Sequence, residues 1–133
     1  MGTPANPHSQ KQRLYRLATP LTDDALIPLH VQGEEAMSDG FHYEIKAFSQ
    51  TEHALEPKHL VGEPATLALF QEDDSKRYIN GYVKGLEALG RHHADGPSHY
   101  RITLTSALWF LEKRSDCRIF QNKTIPQVIE AVL

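Results

Sequence analysis

The chain has one cysteine, Cys117, which excludes an internal disulfide and leaves no thiolate partner for a zinc-type spacing. That usage fits a protein made in the cytosol. Long hydrophobic runs are missing too. The longest, Ala107-Leu108-Trp109-Phe110-Leu111, falls far short of the roughly 20 residues that a spanning helix needs, and no signal peptide precedes the first expected strand. Positive charge is not in excess: the formal net charge of −3 argues against a phosphate-backbone binder. Nucleic acid is therefore not an expected partner. Absent as well are a G-x-S-x-G elbow, a G-x-x-x-x-G-K-[ST] loop and a G-x-G-x-x-G fingerprint, which removes the mechanical parts of hydrolase, nucleotide and dinucleotide sites. No enzyme, cofactor or metal is expected from these residues.

What is present is alternation. At 133 residues, 40% hydrophobic and 23% charged, the chain is one domain's worth and can bury about two thirds of its unfolded surface. Residues 1–12 show no period and read as a flexible lead. Residues 13–19 predict a first strand, with Tyr15 and Leu17 on one face. Ile27, Leu29, Val31 and Gly33 predict a second, with Pro28 marking an edge or bulge. Phe41, Tyr43, Ile45 and Ala47 alternate most cleanly. Ala65, Leu67 and Leu69 follow a loop and turn, and Asp73-Asp74-Ser75-Lys76 forms a hairpin turn. The next strand, 77–89, is long and holds Gly81 and Gly85, as bulges or barrel coiling require. Tyr100, Ile102 and Leu104 complete the set. Six or more strands in sequential hairpins predict a mainly β fold, an antiparallel β-barrel rather than an α/β fold.

The last stretch, 117–133, reads as a short strand, a polar turn and a helix opening at Thr124. Thr124 and Gln127 have capping-box spacing, Pro126 sits in the first turn, and Ile125, Val128, Ile129 and Val132 form one apolar stripe. An isolated helix of about ten residues is marginal in water, so this stripe calls for a partner surface, and the chain reads as an N-terminal piece of something longer. The expected division is 1–12, 13–116 as the barrel and 117–133 as the lead-in to a next domain.

Groups that could carry chemistry are outweighed by plainer roles. His92, His93, Asp95 and His99 form the densest metal-type cluster, yet neighbouring histidines on a strand point to opposite sides and the sequence suits a solvated loop tip. His53, Glu56 and His59 match no strong spacing. The doublets Asp23-Asp24, Glu34-Glu35 and Asp73-Asp74 read as solvated turns. Cys117, between Asp116 and Arg118, reads as a small core or edge residue of the closing strand rather than a nucleophile. Phe41, Tyr43, Trp109, Phe110 and Phe120 read as core.

The ordered fragments Gly33-Glu34, Met37-Ser38-Asp39-Gly40-Phe41 and Leu60-Val61-Gly62-Glu63-Pro64-Ala65 open a longer match. It continues through Tyr78-Ile79-Asn80-Gly81-Tyr82-Val83, Tyr100-Arg101-Ile102-Thr103-Leu104, Leu108-Trp109-Phe110-Leu111 and Arg118-Ile119-Phe120-Gln121-Asn122-Lys123-Thr124. Together these resemble the N-terminal, phage-hub-like region of the VgrG family, the spike proteins of the type VI secretion system. Met37 stands where leucine is common and Ser106 where proline is common; both are packing positions. The resemblance implies a homotrimeric hub of antiparallel barrels seated on the hexameric tube protein Hcp, with a PAAR tip and effectors joined through later parts of a longer chain. It implies bacterial cytoplasm before firing and secretion through the type VI apparatus afterwards. Gly33, Phe41, Gly62, Gly81, Trp109 and Phe120 are the expected fold determinants. A contractile phage tail hub is the nearest alternative. An effector-carrying or carbohydrate-binding barrel is another, and the latter would show Tyr78, Tyr82 and Tyr100 exposed in one row.

Overall fold

The computed structural model describes residues 9–51 and 53–133. The strands are β1 (Tyr15–Ala18), β2 (Ile27–Ala36), β3 (Gly40–Ser49), β4 (Pro64–Phe70), β5 (Lys76–Arg91) and β6 (Ser98–Thr105). A 3-10 turn, Pro57–His59, precedes β4, and the helices α1 (Leu108–Glu112) and α2 (Ile125–Val132) follow β6. All six strands join one sheet in the order β1-β4-β5-β6-β3-β2, each neighbouring pair antiparallel. The sheet curls until its two edge strands, β1 and β2, approach each other without sharing a ladder. The result is an antiparallel half-barrel.

Register explains the core. β3 and β6 set Tyr43 opposite Leu104, Ile45 opposite Ile102 and Ala47 opposite Tyr100, all on the concave face and all buried. Ala65 and Leu67 of β4, Ile79 and Val83 of β5, and Leu17, Leu26 and Leu60 complete the cluster. Each fully buried Val, Leu or Ile side chain among them contributes about 1.5–3 kcal/mol. β5 is the bent strand: its register slips between Val83 and Gly85 and again between Ala88 and Gly90, where Gly90 has φ +89°. Extra residues at such bulges increase coiling, which lets one long strand follow the curl.

Four expectations need correction. Ile27, Leu29 and Val31 do not share a face: the bulge between Pro28 and His30 inserts Leu29 as an extra residue, 46% exposed, and puts Pro28 in phase with Val31, while Ile27 pairs with Phe48 on the other face. Beyond the bulge, Val31, Gly33 and Glu35 face Ile45, Tyr43 and Phe41, so Glu34-Glu35 lies in a strand and not in a turn. The closing strand expected from Cys117 is absent: 114–121 belong to no strand, and the exposed Cys117 and Ile119 find no strand edge to pair with. Finally, the lead is not free at its described end, because Gln10 is buried; residues 1–8 lie outside the described set. Leu108 to Glu112, assigned no element from sequence, form the short α1.

Candidate assembly surface

Three of the six expected determinants meet at one mouth of the half-barrel. A Cβ at Gly33 would lie 2.4 Å from Tyr43 Cδ1, and one at Gly81 would lie 2.8 Å from Phe41 Cζ and 2.5 Å from the Thr105 carbonyl oxygen. Glycine is thus needed at both positions so that an aromatic ring can lie on the backbone. The two rings, Phe41 and Tyr43, stand 5.9 Å apart and tilted. Gly62 does a different job, at φ +88° with open space around it, where its N–H donates to the Val83 carbonyl at 2.8 Å and anchors the corner before β4.

Beside these rings lies a cluster that the sequence did not disclose. Arg77 Nη2 of β5 reaches both Glu35 carboxylate oxygens of β2 at 2.5 Å, and the Tyr43 hydroxyl donates to Glu35 Oε1 at 2.8 Å. β5 and β2 are not sheet neighbours, so this pair spans the concave side and ties one end of the curl. The Arg77 hydrogen bond, then that of Tyr43, holds the Glu35 carboxyl below its ordinary range. Burial, then Glu35, pushes the Tyr43 hydroxyl up. The missing signal was the length of β2, which runs on past Gly33, so that alternation from Val31 through Gly33 turns Glu35 to the same side.

Trp109 and Phe120 lie outside this core and are half-buried. Trp109 packs on Phe110 at 5.2 Å, and Phe110 meets Tyr82 edge-on at 4.9 Å, which seats α1 on β5. Phe120 lines a cleft of about 250 Å³ with Leu111, Arg114, Asp116, Arg118 and Val132. Arg118 pairs with Asp116 and donates through Nη1 to the Ala131 carbonyl at 3.3 Å, holding α2 to its linker. The capping box has its Gln127 arm closed, with the Thr124 N–H donating to Gln127 Oε1 at 2.9 Å. None of the residues of α2 is buried, and Ile125, Ile129 and Val132 stand exposed. An exposed apolar stripe beside an aromatic cleft is the kind of surface that marks an interaction site.

The other candidates disperse. His92 and His99 touch edge-on at 4.7 Å, but among the described residues no three His, Cys, Asp or Glu side chains are placed to hold a metal. Glu56 pairs with Lys58 rather than with a histidine. Asp24 and Asp74 occupy turns at φ +62°, and Asp24 accepts the Gln10 N–H at 2.9 Å. The tyrosine row of a carbohydrate platform does not form: Tyr78 is 59% exposed, Tyr82 lies against Phe110, and Tyr100 is buried with its hydroxyl accepting the Leu55 N–H at 3.0 Å.

Comparison with known proteins agrees with this architecture. The profile of the phage tail baseplate hub family (GPD) matches residues 34–133. The chain is 36% identical over 125 residues to the type VI secretion system spike protein VgrG1b of Pseudomonas aeruginosa, covering 93% of this chain and 16% of that protein. It is 32% identical over 123 residues to VgrG1a of the same organism, covering 92% of this chain and 19% of the relative. An E. coli component of the type VI secretion system, described as similar in structure to the T4 bacteriophage tail proteins gp27 and gp5, superposes with a TM-score of 0.71. That match has 22% identity and covers 88% of this chain and 31% of the solved one. The chain therefore spans less than a fifth of the curated spike proteins it matches.

Proposed function

The chain belongs to the phage tail baseplate hub family, and from that premise we propose that it is a hub barrel of a type VI secretion spike. In this reading a homotrimer caps the hexameric tube protein Hcp and is driven into a target cell by sheath contraction. The family match over 34–133 carries the proposal. The work is mechanical. A hub must resist force through interlocked packing and must match the symmetry of the tube.

The same reading divides the chain into the barrel, 13–116, and a lead-in, 117–133, to the next part of a longer spike. Gly33, Phe41, Gly62, Gly81, Trp109 and Phe120 act as its fold determinants, a PAAR tip and effectors attach elsewhere on the spike, and the protein waits in the bacterial cytoplasm until firing. Because the α2 stripe is uncovered, residues 1–133 alone should trimerise poorly, and light scattering that shows a stable trimer would overturn that part.

The decisive experiment deletes the codons for residues 13–133 in frame in cells lacking other hub paralogues. The tube protein should vanish from the medium while its intracellular level holds, and a plasmid copy should restore it. Unchanged secretion would reject the spike reading. A contractile phage tail hub is the second reading, favoured by the family's own description as a phage tail baseplate hub. It predicts loss of tail assembly instead.

A further inference from the structure

β1 is only four residues long and lies at the sheet edge, paired on one side with β4. The Phe70 N–H donates to the Leu14 carbonyl at 2.8 Å, so the even-numbered residues of this stretch turn their backbone groups toward β4. The backbone N–H and C=O of Leu17 must then point the other way, into the seam where β1 approaches β2 without a ladder. Both are nevertheless satisfied. The Leu17 N–H donates to Gln10 Oε1 at 2.6 Å, and Gln10 Nε2 donates to the Leu17 carbonyl at 3.2 Å. A carboxamide offers one acceptor and a pair of donors, which is the complement of a strand residue's own peptide groups. Gln10 is itself fixed from behind, its N–H donating to Asp24 Oδ1 at 2.9 Å, and it is 8% exposed.

We propose that Gln10 is a latch: its side chain stands in for a missing strand at the β1–β2 seam and keeps the β1 edge from accepting a strand of a second copy of this chain. The edge has the ordinary hazard of unpaired strand edges, a row of donors and acceptors that templates pairing. Leu17 is a point at which that hazard is met: its two groups, like those of Tyr15, face the side that a neighbouring strand would take. Residue 10 lies outside the 34–133 match, so the latch does not derive from the matched hub residues. Released from Leu17 and Asp24, the lead would peel away and leave β1 open to strand addition.

Hydrogen exchange of the whole chain tests the first half, comparing the unsubstituted protein with Gln10→Ala and with Gln10→Glu. Gln10→Glu keeps an acceptor for the Leu17 N–H but loses the donor to its carbonyl. Gln10→Ala should speed exchange at the Leu17 amide by about tenfold, the scale of one net hydrogen bond, while Ile102 stays protected. Gln10→Glu should fall between. Light scattering tests the second half: Gln10→Ala should gain mass with concentration where the unsubstituted chain does not. Equal Leu17 exchange in all three proteins overturns the latch. Faster exchange with unchanged mass at every concentration overturns the guarding role.

Discussion

Ile102 and Ile129 are the same side chain in two regions of the molecule. Ile102 sits opposite Ile45 in the barrel with no exposed surface, whereas Ile129 lies on the α2 stripe and is 51% exposed. The alternation around Ile102 has period two and finds four further strands to complete its burial. The stripe around Ile129 has the helical period and finds nothing comparable among the described residues. Amphipathic patterning therefore states that a surface is to be covered, and only topology states whether the cover lies within the same chain.

The largest test of that difference is truncation. Ile102→Ala should destabilise the barrel by about 2–5 kcal/mol, through lost transfer energy and a cavity, while Ile129→Ala should change stability by less than about 0.5 kcal/mol. Urea midpoints at constant slope measure both. A comparable loss at Ile129 would mean that α2 is coupled to the barrel core. Within the barrel, glycines sharpen the contrast. Gly81→Ala forces a methyl to 2.5 Å from the Thr105 carbonyl oxygen and should lose about 1–3 kcal/mol. Gly85→Ala meets nothing within 4 Å and should be neutral or slightly stabilising.

Most of the barrel was legible because one-sided burial writes period two into β3, β4 and β6, and the glycines of β5 advertised its bending. The errors in β2 have two causes. Ile27 and Leu29 were grouped with Val31 because sequence signals a bulge at Pro28 without counting its residues, whereas Glu35 was missed because the strand runs on past Gly33. The expected strand at 117–120 had the right residue types but no neighbouring edge, a property of the whole sheet rather than of the segment. The meeting of Gly33, Phe41 and Gly81 at one mouth, with Glu35 and Arg77, depends on a register that no local pattern contains.

That mouth gives the next smaller effect. The Glu35 carboxyl is held below its ordinary value of 4.5, so its contribution to stability is present above that value and is lost as pH falls through the lowered one. Glu35→Gln keeps an acceptor for Tyr43 but removes the charge facing Arg77. The variant should melt slightly lower at pH 7, by the small amount an exposed ion pair supplies, and should show a shallower fall on acidification, so that the two proteins converge below about pH 4.5. Identical acid limbs would show that the pair does not fasten the curl.

The smallest expected effect belongs to the tail. Gln127→Ala removes the acceptor for the Thr124 N–H, leaving an orphan donor at the start of an eight-residue helix. A cap of this kind is worth about 1 kcal/mol to the helix it closes, a large share for a helix so short and exposed. The variant should lose α2, seen as weakened helical circular dichroism and faster amide exchange at Val128 and Ile129, while the urea midpoint of the barrel stays fixed. The two readouts separate because nothing in α2 is buried. If the midpoint moves with the helix signal, the tail is part of the barrel's cooperative unit, and the contrast between Ile102 and Ile129 is one of degree.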